Sequence, residues 1–192
     1  ASVSQFKVGD AVFAFPSFAM GAHAEYRALP QDGPIAFKPR NLGFPEAAAL
    51  SFGGVTALQF LRDRAKVRAG EKVLVIGASG AVGSAAVQLA KSFGASVTGV
   101  CSSANLELVK SIGADRVIDY ATEDSIKSGD QYDIICDTIG VTSYTACKDA
   151  LRPGGRLLLV ASGLAQVLEA GRKPNGKAVM AGTGNATVEH LV

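Results

Sequence analysis

Side chains that bind metals are scarce in this 192-residue sequence, which has three cysteines, two histidines and no tryptophan. Cys101, Cys136 and Cys147 lie far apart and form no C-x-x-C pair, and the histidines are His23 and His190. A zinc site therefore has almost no ligands to draw on, and we predict no metal site. Small apolar thiols in a core are the simpler interpretation of the three cysteines.

An excess of charge of one sign is also lacking. The 19 Lys and Arg residues against 17 Asp and Glu residues give a formal net charge of +2, and the basic residues never form a run of five or six. This distribution argues against a nucleic acid or an anionic membrane as a partner. The uncharged stretch between Glu46 and Arg62 is too short and too broken to span a bilayer. Without a recognisable signal segment, we expect a cytoplasmic protein.

Hydrophobic residues and glycine are abundant. Hydrophobic residues make up 48% of the chain, which excludes disorder. The 22 glycines are about 11% of the chain, against an average near 7%, and they stand at the ends of predicted elements. The composition therefore indicates a globular protein with many turns.

Residues 1–45 differ from the rest of the chain. They hold five of the seven prolines and two short extended runs, at 12–15 and 24–29, which we predict to be strands. This is too little chain to close a barrel or to bury a core alone. It is typical of the remainder of a β domain.

Residues 46–192 show alternating strand and helix patterns. Val73–Ile76 is a continuous apolar run, as expected for a strand buried on both faces of a parallel sheet. The predicted strands are 73–76, 96–100, 117–118, 134–136, 157–160 and 178–180, and the predicted helices are 80–93, 106–112, 143–151 and 164–170. This alternation predicts an α/β fold with a doubly wound parallel sheet.

A glycine motif, Gly77-Ala78-Ser79-Gly80-Ala81-Val82-Gly83, follows the first buried strand and opens a helix. Its G-x-x-G-x-x-G spacing is a variant of the dinucleotide-binding fingerprint. Gly80 lets a pyrophosphate approach the backbone, and Gly83 lets the helix pack closely on the strand. The N–H groups at the helix start then hold the phosphate charge. A tight structural turn without a ligand is the alternative.

The end of the second strand bears on the choice of cofactor. NAD-binding proteins usually place an acidic residue about 20 residues beyond the glycines, whereas this chain has Cys101-Ser102-Ser103-Ala104-Asn105 and no acid before Glu107. A 2′-phosphate is therefore not repelled, and Ser102, Ser103 and Asn105 are candidate donors to it. No Lys or Arg stands there, so we favour NADPH and keep NADH as an alternative. The serines could instead cap a helix.

Two other catalytic patterns are weak. Tyr144-x-x-x-Lys148 matches the Tyr/Lys pair of short-chain dehydrogenases, but it follows the glycine motif too closely for that class. The segment around Ser79 departs from the G-x-S-x-G nucleophile elbow because Ala81 replaces the second glycine, and the chain offers few histidines as a base. No catalytic residue is assigned.

A set of segments spread over most of the chain resembles the medium-chain dehydrogenase/reductase superfamily, in its zinc-free quinone oxidoreductase (zeta-crystallin-like) branch. The segments are Gly9-Asp10-Ala11-Val12, Ala22-His23-Ala24-Glu25-Tyr26, Glu46-Ala47-Ala48-Ala49, Val55-Thr56-Ala57, the glycine motif, Ala86-Val87-Gln88-Leu89-Ala90-Lys91, Gly113-Ala114-Asp115, Asp119-Tyr120, Tyr132-Asp133, Asp137-Thr138-Ile139-Gly140 and Pro153-Gly154-Gly155-Arg156. The resemblance implies a Rossmann-type domain over 46–192, a partial GroES-like barrel over 1–45, and a chain that is a fragment of the usual length.

The resemblance also implies a set of cofactor contacts. Thr56 would lie beside the nicotinamide ribose and the phosphates, Ser79, Gly80, Ala81 and Val82 at the pyrophosphate, Ser102 and Ser103 at the adenosine ribose, Tyr120 at the 2′-phosphate, Thr138 and Ile139 at the adenine, and Val160, Ala161 and Ser162 at the nicotinamide carboxamide. Relatives that use NADPH often carry Lys or Arg just past the serines, where this chain has Ala104, Asn105 and Leu106.

The implied activity is hydride transfer between a nicotinamide and a quinone, an enone or a related carbonyl compound, without zinc. The implied assembly is a homodimer through the outermost Rossmann strand, near residues 178–180. Two alternatives stay open: a zinc-dependent alcohol dehydrogenase of the same superfamily, and a nucleotide-binding module without catalytic activity.

Overall fold

A six-stranded parallel sheet forms the centre of the structure, a computed structural model that describes residues 3–16, 19–163, 170–171, 174–182 and 186–192. Its strands are β3 (Lys72–Ile76), β4 (Ser96–Cys101), β5 (Arg116–Asp119), β6 (Tyr132–Asp137), β7 (Leu151–Leu159) and β8 (Ala178–Ala181). They lie in the order β5-β4-β3-β6-β7-β8. This is the doubly wound order of the Rossmann fold, so the predicted fold class is confirmed.

Helices cover the sheet. They are α1 (Phe44–Leu58), which continues into a π-helical segment (Gln59–Arg64), α2 (Ala81–Ser92), α3 (Leu106–Ser111) and α4 (Tyr144–Cys147). Alternate residues of β3 enter different clusters: Val73 and Val75 pack with α1, α2 and α3, while Leu74 and Ile76 pack with the segment around Cys147. Both faces of the sheet are therefore buried, which explains the continuous apolar runs in its strands.

The N-terminal segment adds a separate two-stranded sheet. In it, β1 (Val12–Ala14) pairs antiparallel with β2 (Ile35–Phe37), and Phe13 and Ala36 pack against Ala47 of α1. The predicted strand at 12–15 is confirmed, but the one at 24–29 is wrong. Those residues are largely exposed and pair with no described strand, so their alternating pattern has no partner to complete its hydrogen bonds. That these strands are a barrel remnant stays a prediction.

One predicted helix is shorter than expected, and another lies largely outside the described part of the chain. The helix expected at 143–151 is reduced to the four residues of α4, because Leu151 already pairs with Tyr132 as the start of β7. Most of the helix expected at 164–170 lies outside the described residues. Across the described residues, no helix has the length and hydropathy needed to cross a membrane.

The three cysteines are core residues, as predicted. All three are buried, and none of Cys101, Cys136 and Cys147 forms a disulfide. Burial raises the pKa of the Cys136 thiol to about 12 and that of Cys147 to about 11, although the Thr142 hydroxyl, 2.9 Å from the Cys147 sulfur, opposes part of the second shift. These thiols remain protonated in the folded protein at neutral pH.

The raised thiol pKa predicts a loss of stability in alkali. The Cys136 thiol stays protonated in the folded state up to about pH 12 but ionises above pH 9 when the chain unfolds. Its contribution is complete below pH 9 and is lost as pH rises, by up to about 1.4 kcal/mol per pH unit. The free energy of unfolding, measured in urea at pH 8 and at pH 10, should therefore fall less for Cys136→Ala than for the unchanged chain. An equal fall in both chains would contradict the prediction.

Candidate functional site

A cleft of about 580 Å³ lies at the carboxyl edge of the sheet. The described residues that line it are Ile76, Gly77, Ser79, Gly80, Val100, Cys101, Ser102, Tyr120, Ile139 and Val141. They come from the ends of β3, β4 and β5 and from the segment after β6. The strand order reverses between β3 and β6, and open α/β sheets bind ligands at such a position.

The turn after β3 forms the floor of the cleft. The N–H groups of Gly77 and Ala78 donate to the carbonyl of Val100, which fixes the turn to β4. Gly77 has a positive φ of 81°, and a Cβ there would lie 2.6 Å from the Cγ2 of Ile139 and 2.7 Å from the Oγ1 of Thr138. Only glycine meets both the backbone requirement and the lack of space.

The first turn of α2 presents free backbone donors. Its N-cap is Gly80, which has no side chain to accept from the N–H groups that every helix start leaves unpaired. A Cβ at Gly83 would lie 2.0 Å from the carbonyl oxygen of Gly77, so the helix packs on the turn at this glycine. A Cβ at Gly80 would meet only that same oxygen, at 3.4 Å. The backbone at Gly80 is therefore open to a ligand, and the helix dipole favours an anion there.

The segment after β6 forms an apolar wall and is held by a buried carboxylate. Asp137 is fully buried; its Oδ1 accepts from the N–H groups of Ile139 (3.0 Å) and Gly140 (2.8 Å), and its Oδ2 from that of Thr142 (2.8 Å). Ile139 and Val141 line the cleft although 52% and 69% of their surfaces are exposed. Exposed apolar side chains in a cleft are suited to a flat ring system.

Hydroxyl and amide groups lie at the end of β4. Ser102 precedes a 3₁₀ turn (Ser103–Asn105), and the Nδ2 of Asn105 lies 3.2 Å from the Oγ atoms of both Ser79 and Ser102. Burial, and then the nearby charge of Asp119, raise the pKa of the Cys101 thiol beside them. Within the described residues, the cleft lining contains neither a carboxylate nor a basic side chain.

The predicted cofactor contacts fall into three groups according to their place relative to the cleft. Those that line the cleft are Ser79, Gly80, Ser102, Tyr120 and Ile139. Those on directly adjoining segments are Ala81, Val82, Ser103, Asn105 and Thr138. Those that do not line it are Thr56 on α1 and Val160, Ala161 and Ser162 after β7. These last four share the carboxyl edge of the sheet or the helix packed beside it. All of the predicted cofactor contacts, including those of the residues that line the cleft, stay predictions.

Sequence reasoning missed Ile76, Val100, Cys101 and Val141 as lining residues. Val100 and Cys101 end a buried strand, so their positions at its carboxyl end could have indicated them. Val141 follows Gly140, and an apolar residue after a strand-end glycine is a weak signal that does not separate a cleft wall from an ordinary loop.

The two weak catalytic patterns are not supported by geometry. Tyr144 packs against the buried cluster that contains Cys147 and Leu151, and neither it nor Lys148 is among the described residues that line the cleft. The described partner of the Ser79 hydroxyl is Asn105, whereas His190 lies against Asp63, 2.9 Å from its Oδ2. No described histidine is placed to act as a base for Ser79.

Comparison with known proteins agrees with this fold. Residues 81–183 match the family model described as zinc-binding dehydrogenase. The chain is 36% identical over 170 residues to a chloroplast envelope quinone oxidoreductase homolog of Arabidopsis thaliana, covering 84% of this chain and 52% of that protein. It is 37% identical over 166 residues to the NADPH-dependent alkenal/one oxidoreductase of the Arabidopsis thaliana chloroplast, covering 82% of this chain and 42% of that protein.

A solved structure gives the same result. The quinone oxidoreductase from Coxiella burnetii superposes with a TM-score of 0.87 at 29% identity, covering 98% of this chain and 60% of that one. The chain spans about half the length of the relatives it matches. The chain belongs to the zinc-binding dehydrogenase family, in the quinone oxidoreductase-like branch of the medium-chain dehydrogenase/reductase superfamily.

Proposed function

We propose that this chain carries the dinucleotide site of an oxidoreductase that transfers hydride from NADPH to a quinone, an enone or a related carbonyl compound, without a metal ion. The observation that carries the proposal is the uncapped first turn of α2 at the floor of a cleft where the strand order reverses. The names of two relatives, a quinone oxidoreductase homolog and an NADPH-dependent alkenal/one oxidoreductase, support the same chemistry.

The residues present fit a dinucleotide diphosphate. The N–H groups of Ala81, Val82 and Gly83 stand at the positive end of the α2 dipole, and Gly80 leaves room for an anion to reach them. Ile139 and Val141 provide an apolar wall for the adenine. The nicotinamide of the bound dinucleotide would supply the hydride chemistry, and these residues would hold the diphosphate and the adenine that anchor it.

The preference for NADPH rests on the residues at the end of β4. Ser102 lies where NAD-binding proteins usually have an acidic residue, so no described carboxylate in the cleft lining repels a 2′-phosphate. The hydroxyls of Ser79 and Ser102 are candidate donors to it, and Tyr120 lines the cleft nearby. NADH remains the alternative because no basic side chain among the described lining residues neutralises the phosphate.

The proposal of a metal-free reaction rests on the donor set of this chain. Among the described residues, no group of three or more His, Cys, Asp or Glu side chains could hold a metal ion. Although the family is named for zinc binding, the part of the chain that the structure describes contains no set of zinc ligands. A zinc-dependent alcohol dehydrogenase remains the alternative, which zinc analysis of the purified protein would test.

Organisation and assembly belong to the same proposal. We propose that residues 1–45 belong to a partial GroES-like barrel and residues 46–192 to the Rossmann domain, with β1 and β2 as the barrel strands present. In the described sheet β8 is an edge strand, and exposed edges are commonly covered, which supports a homodimer through β8. The cytoplasmic location stays a prediction, because both plant relatives have chloroplast names.

Titration of the chain with NADPH and with NADH tests the function directly. The chain has no tryptophan, so a change in reduced-nicotinamide fluorescence on binding reports the nucleotide alone. We expect NADPH to bind more tightly than NADH. Tighter binding of NADH would contradict the cofactor choice, and binding of neither would contradict the site. Binding of NADPH without its oxidation by a quinone or an enone would favour the nucleotide-binding module.

A further inference from the structure

The amide of Asn105 connects two hydroxyls at the end of the cleft. Its Nδ2 donates to the Oγ of Ser79 and to the Oγ of Ser102, each at 3.2 Å. Ser79 belongs to the turn after β3 and Ser102 to the end of β4, and both line the cleft. One side chain therefore joins the two strand ends that meet at the site.

These two bonds set the role of each hydroxyl oxygen as an acceptor. An amide nitrogen has two hydrogens and only donates, whereas a hydroxyl has one hydrogen and can also accept. Because Ser79 and Ser102 both accept from Asn105, each keeps its own hydrogen for another acceptor. In the described part of the chain neither hydroxyl donates to a protein atom, so both hydrogens are available to a ligand in the cleft.

We propose that Asn105 is a positioning residue that makes the Ser79 and Ser102 hydroxyls a pair of donors for a phosphate oxygen of the bound nucleotide. The proposal rests on the dinucleotide function proposed above. Both hydrogens of the Asn105 amide are used on the serines, so its contribution is indirect. The phosphate oxygen belongs either to the diphosphate, which Ser79 adjoins, or to the 2′-phosphate expected at Ser102.

Asn105→Asp reverses the hydrogen bonds at almost constant size. A carboxylate only accepts, so it draws the hydrogens of both serine hydroxyls toward itself and away from the cleft. The matched control is Ala104→Asp, which adds the same charge at the exposed neighbouring position and leaves the amide in place. Hydrogen bonds to a charged phosphate are strong, so we expect Asn105→Asp to weaken NADPH binding by at least about tenfold more than Ala104→Asp.

A double-mutant cycle separates positioning from a loss of structure. Ser79→Ala should weaken NADPH binding in the unchanged chain but have almost no further effect in the Asn105→Asp chain, because the donor is already lost there. Adenosine has no phosphate, so its affinity should be the same in Ser79→Ala and in the unchanged chain. If Asn105→Asp fails to fold, Asn105→Ala takes its place in the cycle, because it removes the amide without adding a charge, and Ser79→Ala should again have a smaller effect there than in the unchanged chain.

The outcomes are distinct. A loss in Asn105→Asp beyond that in Ala104→Asp supports the proposal: at the 2′-phosphate if it is seen with NADPH alone, and at the diphosphate if it is equal with NADPH and NADH. Equal effects of Asn105→Asp and Ala104→Asp, or additive effects of Ser79→Ala and Asn105→Asp, would overturn it. Absence of binding by the unchanged chain would instead contradict the dinucleotide function.

Discussion

Replacement of Gly83 by alanine is expected to destabilise the fold by about 1–3 kcal/mol and to abolish NADPH binding. The added Cβ would lie 2.0 Å from the carbonyl oxygen of Gly77 and 2.8 Å from its carbonyl carbon. Both are backbone atoms that cannot rotate away, so the start of α2 must move off the turn. The same movement shifts the N–H groups that we assign to the diphosphate. Urea unfolding and NADPH titration of the variant measure the two effects.

Gly80→Ala is the matched control for that variant. Its Cβ would meet only the Gly77 oxygen at 3.4 Å, and its φ of −76° is ordinary for alanine. We therefore expect a smaller loss of stability than in Gly83→Ala, set by the poorer helix capping of alanine. The methyl group would still stand where the phosphate approaches, and NADPH binding should fall. Equal stability of Gly83→Ala and the unchanged chain would contradict the packing argument, and unchanged affinity in Gly80→Ala would contradict the position of the phosphate.

Replacement of Asp137 by alanine is expected to cost about 3 kcal/mol or more and to weaken NADPH binding. The carboxylate accepts three backbone N–H bonds, and each buried donor left without a partner costs about 1–3 kcal/mol. Without these bonds the segment that carries Ile139 and Val141 loses its fixed conformation, and the wall of the cleft with it. Urea unfolding measures the loss of stability, and NADPH titration measures the loss of affinity. Amide hydrogen exchange of residues 139–142 measures the loss of the fixed conformation of the segment.

Asp133→Ala provides the comparison within the same strand. Asp133 lies near the opposite end of β6, where its Oδ2 accepts from the N–H of Lys72 at 2.8 Å and from Arg152 at 2.9 Å. Its loss should lower stability by a smaller amount, because the carboxylate is partly exposed, and should leave the NADPH affinity unchanged. A similar loss of affinity in both variants would show that general destabilisation, and not the wall, controls binding.

The sheet and the glycine turn could be predicted because their causes are local. A strand buried on both faces must be apolar throughout, as Val73–Ile76 is, and a turn that ends under a helix start must contain glycines at set positions. The fold class therefore followed from the order of such segments. α1 was not predicted, because Gly53 and Gly54 lower helix propensity in its middle. Gly53 is explained only in three dimensions: a Cβ there would lie 2.3 Å from the carbonyl of Ala81.

The walls of the cleft could not be predicted, because they depend on contacts that only the folded chain brings together. Asp137 at a strand end has the pattern of an ordinary turn residue, and only the folded chain shows its three N–H partners. Asn105 was predicted to donate directly to a phosphate, whereas its hydrogens meet Ser79 and Ser102. The direction of a side chain depends on neighbours that are distant in the chain. Composition and spacing could therefore single out these residues but could not predict their hydrogen-bond partners.

The central position of β3 also bears on how the protein is made. The hydroxyl of Thr138 reaches the carbonyl of Ile76 across 62 positions of the chain. Because domains fold as they emerge from the ribosome with the N-terminus first, the glycine turn exists before the strand that completes its surroundings. During that interval β3 is an open edge, and open edges pair with other chains. A pause in translation before β6 would therefore leave this edge exposed to misassembly for longer.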